Sequence, residues 1–237
     1  MAIVREVEYE ADGLVMRGRL AHPQGTGLYP AVLIAPEAQG LDEFQAHRAD
    51  VFCELGYAAL AMDYYGDGTV VTDGEDVARR LEALGSDPDQ IRRRARAALD
   101  VLLAVPSVDP SKVAAVGFCF GETVVMELAR TGADIKAVVG FHPGLNVLRR
   151  GDSRHIRGKV LMCVGADDPI VNLEQRIAFE EEMRSCGVNW MMHIFGGVQH
   201  SFTNPSAGSR GGEGLKFDKR ATESAWREMI DLFGEVF

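Results

Sequence analysis

Cys119 stands in the segment Gly117-Phe118-Cys119-Phe120-Gly121. The apolar run Val113 to Val116 precedes it, and a helical pattern, Glu122 to Arg130, follows. A nucleophile between a strand and a helix, with glycine two residues away on each side, is a G-x-S-x-G elbow with cysteine in the serine position. A tight turn pushes the side chain into a cleft, and the flanking glycines let neighbouring backbone pack closely. The helix N-terminus turns its N–H groups toward the sulfur and favours a thiolate. The chemistry is nucleophilic attack on an acyl carbon, with the backbone N–H of Phe120 as one half of an oxyanion hole.

Such a cysteine needs a general base and a group to orient it. In folds that carry this elbow, the chain order is nucleophile, acid, histidine. After Cys119, the apolar run Lys159 to Val164 ends in Gly165-Ala166-Asp167-Asp168-Pro169. Both aspartates lie just past a buried strand, and the G-x-x-D-x-x-V setting favours Asp168. The histidines that follow are His193 and His200. His193 falls inside a strand, where a side chain packs on a sheet face. His200 falls in the loop beyond it, from which an imidazole can be delivered to a cleft. Earlier in the chain, Ala31 to Ala35 runs into Pro36-Glu37-Ala38-Gln39-Gly40. That loop is where the second oxyanion N–H is expected, and Ala38 is the residue nominated. Glu37 is unusual there, because an acid beside a thiol disfavours the thiolate.

The elements that must hold these residues read as an opening hairpin followed by alternating strands and helices. Val4 to Glu10 and Leu14 to Ala21, joined by Asp12-Gly13, form the hairpin. Strands are expected at Ala31 to Ala35, Tyr57 to Met62, Lys112 to Phe118, Ile135 to Phe141, Val160 to Val164 and Val188 to Phe195. Helices are expected at Phe44 to Leu55, Asp73 to Leu84, Gln90 to Ala104, Glu122 to Arg130, Leu173 to Ser185 and Lys219 to Phe233. In the third of these, Ile91, Ala95, Ala98, Leu99 and Leu102 share a face, and Arg92 to Arg94 oppose it as a solvated surface. Asp109-Pro110 reads as a turn or helix cap. This order predicts an α/β fold, mainly a parallel central sheet with helices on both faces. Sites in such sheets lie at the carboxyl ends of the strands, where Cys119, Asp168, His200 and Glu37 all fall.

Composition narrows the function. The 237 residues suit one α/β domain over the whole chain, 46% hydrophobic and 25% charged. A net charge of −10 argues against nucleic acid and anionic membrane as partners. No apolar run approaches the ~20 residues of a membrane span. The first nine residues lack a basic start followed by an apolar block, so a cytoplasmic location is expected. None of the four cysteines, Cys53, Cys119, Cys163 and Cys186, forms a C-x-x-C pair, so zinc and dithiol readings are weak. No metal or organic cofactor is expected.

These motifs together resemble the dienelactone hydrolase family, cysteine-dependent members of the α/β-hydrolase superfamily. The resemblance rests on Glu37 with Gly40-Leu41, Asp63-Tyr64-Tyr65-Gly66, the Cys119 elbow, Gly165-Ala166-Asp167-Asp168, and His200-Ser201-Phe202-Thr203-Asn204-Pro205. It implies a carboxylic ester or lactone hydrolase with a Cys119–His200–Asp168 triad and an acyl-enzyme, acting on a small molecule as a monomer or homodimer. It also implies that Glu37 holds the resting thiol away from the histidine and takes its proton once substrate binds. One position departs from the pattern. Enzymes of the family that act on the anionic dienelactone carry arginine four residues after the catalytic histidine, where this chain has Asn204. Other cations near in sequence are Arg210, Arg79, Arg80 and Arg92 to Arg94. Thioesterase, acyltransferase and non-catalytic binding readings of the same scaffold stay open at this point.

Overall fold

The protein is described by a computed structural model covering residues 2–210 and 213–237. Eight strands form one sheet in the order β1-β2-β4-β3-β5-β6-β7-β8. The opening hairpin pairs β1 (Ala2–Ala11) with β2 (Leu14–Pro23) through the Asp12-Gly13 turn. Both turn residues have positive φ, 52° and 74°, as a two-residue hairpin loop requires. β2 runs antiparallel to β4 (Ala58–Ala61). From there β4, β3 (Tyr29–Ala35), β5 (Val108–Phe118), β6 (Ala137–Phe141), β7 (Lys159–Gly165) and β8 (Trp190–Phe195) are parallel.

The two sheet faces divide the helices. On one face lie α3 (Pro88–Leu103) and α4 (Phe120–Arg130). Ile91, Ala95, Ala98 and Leu102 pack there with Val124, Val125 and Leu128 onto Leu33, Ala115 and Val138. On the other lie α1 (Glu43–Glu54) and α6 (Lys219–Val236). Phe52, Met229 and Phe233 pack there on Val32, Ile34, Val116 and Val139. Alternate residues of each central strand thus serve opposite cores, which is why these strands are wholly apolar instead of alternating. α2 (Gly74–Ser86) and α5 (Leu173–Ser185) complete the described helices. None of the described helices is long and apolar enough to cross a membrane.

Two local expectations change. Asp109-Pro110 lies inside β5, not before it. The pairing with β3 jumps from Tyr29↔Val108 to Ala31↔Val113, so residues 109–112 bulge out of the ladder. The Asp109 carboxylate accepts the Ser111 N–H at 2.9 Å, a local turn set within the strand. The Arg92 to Arg94 run is a solvated face only at Arg93, which is exposed. Arg94 is buried and donates to the Tyr64 carbonyl at 2.7 Å and to Asp12 at 3.2 Å. Arg92 bridges Glu127 and Asp152. Arg92 and Arg94 border the apolar stripe on its two sides, so these two cations join α3 to α4 and to the hairpin turn.

Candidate active site

Cys119 occupies the step from β5 to α4, with φ 53° and ψ −119°. A non-glycine residue seldom adopts this backbone, and it persists only where its surroundings fix it. They do so here. The Cys119 N–H donates to the Phe141 carbonyl at 3.1 Å, and its own carbonyl accepts from Glu122 N–H at 3.1 Å. A Cβ at Gly117 would strike the backbone of Gly121 and Glu122, and one at Gly121 would strike the carbonyls of Ala35 and Pro36. The two glycines are thus a spatial requirement of the turn. Cys119 is the N-cap of α4 but makes no side-chain cap bond, which leaves its sulfur facing the cavity beside it.

That cavity, of ≈ 250 Å³, is bordered by Ala38, Phe120, Gly144, Asn146 and His200 along with Cys119. The N–H groups of Ala38 and Phe120 make no hydrogen bond to the described residues. Both residues line the cavity that Cys119 lines. Tyr64 and Tyr65 fix the first of them, donating to the carbonyls of Glu37 at 2.6 Å and Ala38 at 2.7 Å.

His200 follows β8 on a loop held to the chain at Gly214 and Lys216. Its Nδ1 meets Asp168 Oδ2 at 2.6 Å, while Asp168 Oδ1 accepts the Ile170 N–H at 2.8 Å. Asp167 is exposed and takes no part. His193, on β8, lies 3.6 Å from Glu228 at the surface. His200 Nε2 is buried without a well-formed hydrogen bond, yet it couples electrostatically with the Cys119 sulfur. Burial pulls the His200 pKa down, but the sulfur and then Asp168 outweigh it and push the value up to about 10.

The Glu37 carboxylate is buried and meets residues of two other segments. Its Oε2 accepts from Asn204 Nδ2 at 2.9 Å, and its Oε1 lies 3.7 Å from His142 Nε2. Asn204, at the position where the family resemblance would place an arginine, is therefore a donor to Glu37. The Arg210 side chain lies outside the described residues. Arg79 and Arg80 both pair with Asp76.

Sequence reasoning left two residues of this buried cluster without a role. His142 directly follows β6, at a strand's carboxyl end, which was the available signal. Its Nε2 meets the Thr203 hydroxyl at 2.9 Å and its ring lies 5.1 Å from that of His200. Burial, then the charges of His200 and Arg48, hold its pKa well below the ordinary value. Arg48 on α1 donates to Thr203 and stacks 4.4 Å over Phe118. Nothing in the residues around it singles it out. Among the described residues, no group of three or more His, Cys, Asp or Glu gathers as metal ligands.

The dienelactone hydrolase family profile matches residues 16–237. The chain belongs to the dienelactone hydrolase family. It is 28% identical to a putative carboxymethylenebutenolidase of Aquifex aeolicus over 232 residues, covering 96% of each chain. It is 26% identical to a probable 2-oxo-3-(5-oxofuran-2-ylidene)propanoate lactonase of Bradyrhizobium, covering 77% of each. A solved structure of a dienelactone hydrolase-like promiscuous phosphotriesterase from metagenomic libraries superposes with a TM-score of 0.95. It is 42% identical, and the match covers 100% of this chain and 99% of that one. This dienelactone hydrolase relative is accordingly a hydrolase, with the eight-stranded, mostly parallel sheet of its family.

Proposed function

We propose that the chain hydrolyses a carboxylic ester or lactone through an acyl-enzyme on Cys119. The observation that carries this reading is the shared cavity of Cys119 and His200, with Asp168 bonded to the far side of the imidazole. Asp168 holds the ring so that Nε2 faces the sulfur, and it stabilises the imidazolium. The thiolate attacks the acyl carbon and a C–S bond forms. The developing oxyanion takes the N–H groups of Ala38 and Phe120. Collapse breaks the C–O bond, and imidazolium gives its proton to the departing alkoxide. His200 then deprotonates water, which attacks the thioester, and the acid leaves with the thiol restored.

In this reading Glu37 is the alternative acceptor of the thiol proton. Asn204 and His142 hold its carboxylate beside the oxyanion loop, one residue before Ala38. Glu37→Gln removes that charge while keeping an acceptor for Asn204. It is expected to change the pH dependence of Cys119 alkylation by iodoacetamide, with circular dichroism unaltered. Identical alkylation curves in both proteins would remove Glu37 from the proton path.

The cavity walls Val77, Leu81, Phe120, Ile170 and Leu215 suit an apolar ester arm. Position 204 offers an amide to Glu37, not a cation to a substrate carboxylate. An uncharged ester or lactone therefore fits better than the dienelactone anion. The phosphotriesterase named among the similar structures supports a second reading, in which a neutral phosphotriester meets the same sulfur. Hydrolysis of dienelactone, simple lactones, aryl esters, thioesters and an aryl phosphotriester separates these readings. Rapid acid quench and mass spectrometry should find the acyl mass on the peptide holding Cys119. An acyl ester cleaved with no such adduct under burst conditions excludes the covalent route.

A further inference from the structure

Glu122 is a carboxylic acid with no exposed surface, three residues beyond the nucleophile and in the first turn of α4. Its stem lies across β6 at Gly140, where a Cβ would come within 2.7 Å of Glu122 Cγ and 2.5 Å of Met162 Sδ. Glycine at 140 is what admits the acid to the interior. Its Oε2 accepts the Leu145 N–H at 3.2 Å and faces the Thr123 hydroxyl at 3.4 Å. The Gly144 N–H also favours its ionised form. Its Oε1 is buried without a hydrogen bond.

The segment it grips is strained. His142 and Leu145 carry φ of 39° and 52° without being glycine, a conformation that must be held from outside. Asn146 Nδ2 reaches back to Thr123 Oγ1 at 3.3 Å. Gly144 and Asn146 form part of the cavity wall beside Cys119.

We propose that Glu122 is a positioning residue that fixes the 144–146 wall of the substrate cavity against the nucleophile helix. The inference rests on the reading that this cavity receives the ester. Burial pushes the Glu122 pKa up to about 7, against the pull of Arg130 and the two backbone N–H groups. Arg130 on its own helix is the charge that acts on it. His142 is the titratable side chain of the gripped segment, and the contact from β7 is the uncharged Met162. As pH rises through this range the carboxylate forms and becomes the stronger acceptor. The wall firms and KM should fall.

The test compares wild type, Glu122→Gln and Glu122→Asp on a p-nitrophenyl benzoate ester from pH 5.5 to 8.5. Glutamine fills the same space and accepts more weakly. KM should rise about tenfold, the loss of one charge-assisted hydrogen bond, with kcat changing less. The wild-type fall of KM near pH 7 should vanish in Glu122→Gln and persist in Glu122→Asp, whose shorter reach still raises KM. A Glu122→Gln enzyme with the wild-type KM–pH curve overturns the proposal. So does a Glu122→Asp enzyme with wild-type KM, should the glutamine variant fail to fold. Cys119→Ala run alongside separates the two levels. If that variant still turns over the ester, the catalytic reading fails. If it is inert while both Glu122 variants behave as wild type, only the role of Glu122 fails.

Discussion

Cys119→Ala is expected to lower hydrolysis of an activated aryl ester by at least ~10³-fold, with His200→Ala falling as far and the double variant no further. The non-additivity is the sharper part of the prediction. A base without a nucleophile, or a nucleophile without a base, has lost the same step. In the proposed mechanism, what remains is the modest stabilisation from the Ala38 and Phe120 N–H groups. The same pair makes a second, independent readout. The Cys119 sulfur is the largest influence raising the His200 pKa, ahead of Asp168. Its removal should bring the imidazole pKa down from about 10 toward its ordinary value near 6.5, as followed by NMR of labelled histidine. The sign for stability follows from linkage. A folded pKa above the unfolded one gives stabilisation fully present below about pH 6.5 and lost as pH rises through about 10. Cys119→Ala should therefore flatten the alkaline limb of stability. Wild-type ester turnover in the alanine variant, or a multiplicative loss in the double variant, would sink the triad.

Much of the architecture was legible because the physics that fixes it is local. Asp12-Gly13 dictates a two-residue turn, and the stripe from Ile91 to Leu102 leaves α3 one face to bury. The strands read as wholly apolar because helices cover both sides. The elbow was legible for the same reason: Gly117 and Gly121 are demanded by backbone contacts within one turn. Asp168 could be preferred to Asp167 from its setting alone, and it is Asp168 that reaches His200 at 2.6 Å.

The parts that stayed hidden depend on contacts far apart in the chain. Arg48 meets Thr203, 155 residues away, and nothing on α1 signals it. Arg94 is buried because the hairpin turn at Asp12 happens to pack on its flank. Periodicity places it at the edge of the apolar stripe but does not show which element covers it. Glu122 looks like an ordinary acid favouring a helix N-terminus. Only Gly140, on a different strand, reveals the interior space it fills. Even the substitution at Asn204 could be noticed but not interpreted until its amide was seen on Glu37.

Gly121→Ala should be a severely damaging single-methyl change in the elbow. Its Cβ would collide with the carbonyl oxygens of Ala35 and Pro36, both backbone at the end of β3, so no side chain can swing aside. Relief requires α4 to move off the sheet, and α4 carries the buried residues Val124, Val125 and Leu128. Overpacking of this kind costs about 3 kcal/mol or more, which for a chain of this size lowers Tm by about 10 °C. The displacement also changes the chemistry. Ala35 and Pro36 lead directly to Glu37 and Ala38, so moving α4 separates the Phe120 N–H from the Ala38 N–H. Folded Gly121→Ala protein should consequently lose kcat on top of stability. Gly85→Ala in α2 is the matched control, because a Cβ there meets nothing within 4 Å. At that site the smaller unfolded-state entropy and better helix propensity should raise stability by about 0.5–1 kcal/mol. Scanning calorimetry on both variants decides the matter. If Gly121→Ala melts within about 2 °C of wild type, less than ~1 kcal/mol by the same scaling, the close approach of α4 to β3 is not what shapes the turn at Cys119.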